Sequence, residues 1–143
     1  MDNELMKREI QEAIRAGERA LVSLDEAQKE LKSARNWGIY DMLGGGLLGT
    51  LIKHSKISSA SSCLEEAQAH LRQFQRELKD VQGMPDVHIE IGDFLTFADY
   101  FFDGLLADYM VQSKINEARS QTEQAISYVN SLLAELRRAQ SRC

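Results

Sequence analysis

From Met6 onward the apolar and small residues fall at Met6, Ile10, Ala13, Gly17, Ala20, Leu24, Ala27, Leu31 and Ala34, with gaps that alternate four and three. That alternation keeps one stripe on one side of an α-helix and is the mark of a coiled-coil seam. It predicts a first helix from about Asn3 to Ala34 or slightly beyond. Ile14 and Leu21 lie beside the stripe and widen it, as a helix with two neighbours requires. A second seam runs through Ile57, Ala60, Leu64, Ala67, Leu71, Phe74, Leu78 and Val81, and predicts a helix over at least Ser58–Asp80. A third runs through Ile115, Ala118, Thr122, Ala125, Val129, Leu132, Leu136 and Ala139, so its helix reaches nearly to the C-terminus. All three seams mix large residues with alanine, which lets helices approach closely, and short connections favour antiparallel neighbours. The expected fold is all-α: three long antiparallel helices in a coiled-coil-like bundle, forming one domain over residues 1–143.

Two stretches do not follow these seams. Trp37–Ala60 contains Gly44, Gly45, Gly46 and Gly49, and each glycine in a helix interior costs about 1 kcal/mol relative to alanine. Either the chain turns there through positive φ, or another backbone or a ligand comes very close. Gly45-x-x-x-Gly49 has the spacing of a close helix crossing. Ser58 or Ser59 can cap a fresh helix, whereas a helix already running from about Leu47 needs no such cap. The other stretch, Gln82–Gly92, holds the only proline, Pro85, and is a connection. Within it Val87, Ile89 and Ile91 alternate with His88 and Glu90, predicting a short extended segment that lies along the helices or pairs with its copy in a dimer. Asp93 reads as the N-cap of a helix carrying Phe94, Phe97, Tyr100, Phe101 and Phe102, the expected heart of the core.

A shift of 58 residues lays Gly46-Leu47-Leu48 on Gly104-Leu105-Leu106 and Ser55-Lys56-Ile57 on Ser113-Lys114-Ile115, with Asp41 on Asp99. Matched heptads alone do not reproduce a shared Gly-Leu-Leu and Ser-Lys-Ile. The correspondence predicts a duplicated unit, at about 37–80 and again at about 95–140. Each unit has an aspartate, a glycine-containing apolar segment and a long amphipathic helix.

The motifs Trp37-Gly38-x-x-Asp41-Met42-x-Gly44-Gly45-Gly46 with Lys53-His54-Ser55-Lys56-Ile57, and Phe97-Ala98-Asp99-Tyr100-Phe101-Phe102-Asp103-Gly104-Leu105, resemble those of an uncharacterised family of helical proteins from Gram-positive bacteria. The resemblance spans roughly Ala34 to Ile115. It implies a bacterial, cytosolic, helical protein and brings no mechanism.

Charge and cysteine usage narrow the class. A net charge of -5, with basic and acidic residues interleaved, offers no field that would attract a phosphate backbone, so nucleic acid is not an expected partner. Cys63 and Cys143 form neither a disulfide framework nor a zinc spacing, which fits a reducing cytoplasm. The opening residues are charged and lack an apolar h-region, so no signal peptide is expected. Met42–Ile52 is too short, and too broken by glycine, to span a bilayer, leaving membrane-surface docking as a minor reading. Cys63 precedes a seam leucine and reads as a packed thiol, His70 as partly exposed, His88 as lying on the polar side of its segment, and Cys143 as a mobile terminal residue.

Few residues carry candidate chemistry. Asp99 and Asp103 are four apart and share a helix face, with Asp108 five further on. With Asp41 and His54 nearby they would offer carboxylates and an imidazole to a divalent metal. The simpler roles for these aspartates are helix caps or partners of Lys53, Lys56 or Lys114. Lys53, His54 and Lys56 beside Gly44, Gly45 and Gly46 read either as an anion site or as a solvated basic patch, and no Walker A pattern is present. No acid, base and nucleophile converge by spacing, and no cofactor fingerprint occurs. The sequence therefore predicts a non-enzymatic scaffold or protein-interaction module, a candidate homodimer with an unidentified protein partner. Its working surface would be Trp37–Lys56 together with Phe97–Asp108. The alternative is a helical protein that binds a small ligand or divalent metal through Asp41, His54, Asp99 and Asp103.

Overall fold

The structure, a computed structural model, describes residues 3–42, 47–84, 87, 89–99 and 112–143, with side chains described over 4–33, 62–84, 87, 89–99 and 117–143. Helix α1 is Asn3–Met42 and α2 is Leu47–Gln82. A helix over 92–99, here α3, precedes α4, Gln112–Ser141. Among the described residues there is no β-strand, and no helix is long and apolar enough to cross a membrane.

Both early helices are longer than their seams require. Helix α1 continues through Gly38 to Met42, so the loss of the seam at Trp37 does not end it. Helix α2 begins at Leu47, which places Gly49 inside it and removes any capping role for Ser58 or Ser59. Gly44, Gly45 and Gly46, between the two helices, lie outside the described residues.

Side-chain pairs give the helix directions. Gln140 Nε2 donates to Gln11 Oε1 at 2.7 Å, and Arg137 faces Glu18 at 3.9 Å. Numbers thus rise along α1 as they fall along α4. Ser23 pairs with His70, while Gly17 lies against both Phe74 and Leu133, so α1 is antiparallel to α2 as well. Helices α2 and α4 consequently run in the same direction on either side of α1. The described residues of segment 84–99 bridge these two flanking helices. The Phe94 ring centroid lies 5.8 Å from that of Phe74 and 6.2 Å from that of Tyr128, and Phe97 lies 5.0 Å from Tyr128. Val87 and Ile89 sit level with Gln82 and Glu135, so the segment climbs in the direction of α1.

The seams supply the core. Ile10, Leu24, Leu31, Leu64, Leu71, Phe74, Leu78, Ile91, Phe94 and Leu133 are its largest fully buried side chains. Burying one such leucine or phenylalanine contributes about 1.5–3 kcal/mol. The widened face of α1 meets its second neighbour, because Ile14 is buried and Leu21 packs against the same core. Thr122, the polar residue of the third seam, is fully buried, and its Oγ1–H donates to the Ala118 carbonyl at 2.7 Å. That local bond satisfies the hydroxyl without a partner on another helix. Under the 58-residue shift Leu64, Ala67, Leu71, Phe74 and Leu78 fall on Thr122, Ala125, Val129, Leu132 and Leu136, all of them buried, whereas buried Val81 falls on the partly buried Ala139.

Segment 87–91 explains its own alternation. Val87, Ile89 and Ile91 are buried while Glu90 is exposed, so the apolar residues of the alternation are the ones laid against the helices. His88 lies outside the described residues. The N-cap of α3 differs from expectation. The Leu95 N–H bonds the Ile91 carbonyl at 2.9 Å, which makes Ile91 the capping position and places Asp93 one residue inside the helix. There its carboxylate still faces the positive end of the helix dipole. Phe94 fulfils the aromatic-core expectation and Phe97 packs against the core, whereas Tyr100, Phe101 and Phe102 lie outside the described residues. Cys143 is not loose: it packs against the core with Sγ 3.4 Å from the Ala139 carbonyl oxygen.

Candidate functional site

The antiparallel arrangement carries the 37–42 end of α1, the 47–56 start of α2 and the start of α4 to one pole of the bundle. Helix α3 runs toward the same pole. Trp37 and Asp41 therefore sit on the last turns of α1, and Lys53, His54 and Lys56 on the early turns of α2. The side chains of these five residues lie outside the described ones, as do Gly44, Gly45, Gly46, Asp103 and Asp108 altogether. Asp99 is described, and is exposed at the end of the 92–99 helix.

The described body of the bundle contains polar groupings that no spacing announced. Ser23 is 3% exposed, and its Oγ lies 2.5 Å from His70 Nδ1 across the α1–α2 seam. Ser23 merely precedes a seam leucine in sequence, and only the antiparallel register brings it to the imidazole. A serine beside a histidine invites comparison with a nucleophile and its base. The backbone N–H groups around Ser23 are spent on the helix, however, so no preorganised donors face a developing oxyanion. Among the described residues no third group bonds the ring. The pair is a polar lock in an otherwise apolar seam.

Glu9, Glu12 and Glu77 bring carboxylate oxygens within 4.8 Å of one another where α1 meets α2. The Glu9 carboxyl is pushed above its usual range by desolvation first and then by Glu12, Glu77 and Asp80, against the opposing pull of Arg8. Glu77 is steadied by Gln73 Nε2 at 2.9 Å, and Gln73 Oε1 accepts from Arg76 at 2.6 Å. Toward the other end of the seam Cys63 packs against the core. Its thiol is pushed up by burial and then by Glu30, Glu26 and Glu66. A thiol so placed is a poor nucleophile and a poor soft-metal ligand, because both roles need the thiolate.

The groupings at Ser23 and Glu9 escape sequence analysis for one reason. Each joins residues of two helices, and the three-four alternation reports which face is apolar but not which turn of one helix meets which turn of another. Comparison with protein-family models, with curated proteins and with solved structures yields no match to this chain.

Proposed function

We propose that the chain is a non-enzymatic helical scaffold that captures a protein partner, or a second copy of itself, at the pole carrying Trp37–Lys56 and Phe97–Asp108. The supporting observation is topological. The helix directions bring the glycine-rich motif to one end of the bundle and point the aromatic motif toward it, while the middle of the bundle is a filled apolar core. In this reading the two motif stretches are copies of one duplicated unit, and what supports it is the shared Gly-Leu-Leu and Ser-Lys-Ile at an offset of 58 residues. A rigid coiled-coil body with specialised residues at one end is a way to hold an interaction surface at a fixed position.

The test compares tag-free protein by native mass spectrometry before and after denaturation, followed by partner capture with wild type and with Trp37→Ala. The scaffold predicts a mass equal to one or two bare chains, and a captured protein that Trp37→Ala loses while its helical circular dichroism is retained. Capture that is unchanged in the variant overturns the assignment of the pole. A mass excess that disappears on denaturing and in Asp99→Asn would instead establish the ligand or metal reading through Asp41, His54, Asp99 and Asp103.

A further inference from the structure

We draw no further inference here: the strongest candidate, the carboxylate cluster of Glu9, Glu12 and Glu77 where α1 meets α2, is a group of solvent-accessible acids beside which nothing among the described residues points to a ligand.

Discussion

Gly17 on α1 lies so close to Phe74 on α2 that a Cβ at Gly17 would stand 2.9 Å from the Phe74 Cε1, and 2.7 Å from Leu133 Cδ2 on α4. One missing side chain thus sets how near both flanking helices come to the central one. Both opposing atoms belong to buried side chains, Phe74 being fully enclosed and in edge contact with Phe94. Gly17→Ala adds about 1 kcal/mol of helix propensity, but overpacking a filled core costs about 1–3 kcal/mol. The expected outcome is a net loss of about 1 kcal/mol in urea unfolding, larger for Gly17→Val. An unchanged or higher midpoint for Gly17→Ala would show that Leu133 and Phe74 yield freely.

The second prediction concerns Phe94, whose ring spans the gap between Phe74 and Tyr128. It is the residue through which α3 joins the two flanking helices, and it is 1% exposed. Phe94→Ala removes both ring contacts and leaves a void, so it should destabilise the protein by about 3–5 kcal/mol. Phe94→Leu keeps much of the volume and should lose markedly less. Thermal unfolding by circular dichroism measures both, and equal effects of the two substitutions would remove the void from the explanation.

These two sites show what a seam reading can and cannot deliver. Alternating gaps of three and four identified nearly every described core residue of α1, α2 and α4, because burial on a long helix follows its period whatever the neighbour is. The widened stripe at Ile14 and Leu21 correctly announced a second neighbour for α1. Helix ends were less legible. Helix α1 runs through Gly38, since a long packed helix absorbs one unfavourable residue, and Ile91 caps α3 where the chain is already seated by the buried Val87 and Ile89. Gly17 looked like any small seam residue until the partners that crowd it were placed. The candidate pole was legible only as motifs, and the placement of Trp37, Asp41, Lys53, His54 and Lys56 on helix ends adds position to them without adding chemistry.

Ser23 and His70 yield a third prediction. Ser23→Ala leaves the partly buried Nδ1 of His70 without its partner, at a cost of about 1 kcal/mol. His70→Ala removes the other half of the same interaction. The double variant should therefore be less destabilised than the sum of the singles, with a coupling of at least about 0.5 kcal/mol by denaturant titration. Strict additivity would mean that the contact contributes nothing beyond packing.

Cys63 gives a fourth. Burial, then Glu30, Glu26 and Glu66, raise its thiol above the ordinary value, so little thiolate exists at neutral pH. Alkylation of the folded protein by iodoacetamide should be slower at Cys63 than for a free cysteine peptide at pH 7, and should accelerate as the pH climbs. Glu30→Gln should raise the neutral-pH rate by removing the largest of the three charge effects. Peptide mapping by mass spectrometry separates this site from Cys143, and a Cys63 rate equal to the peptide's would contradict the described environment.

The last prediction follows from the carboxylates around Glu9. The folded state raises the Glu9 pKa, so between the unfolded and folded values the native protein binds more protons than the unfolded chain. Stability must then fall as pH rises through that window. The penalty is absent below the unfolded value, at about pH 4, and fully developed above the folded one. Glu9→Gln removes a charge that burial and Glu12, Glu77 and Asp80 all oppose, and should raise the melting temperature slightly at pH 7. Near pH 4 and below, where wild-type Glu9 is itself largely protonated, the two proteins should converge. The cluster is solvent-accessible, so added salt should shrink the difference at pH 7. A variant less stable than wild type at pH 7 would show that Glu9 is held by a favourable contact stronger than the repulsion from its three acidic neighbours.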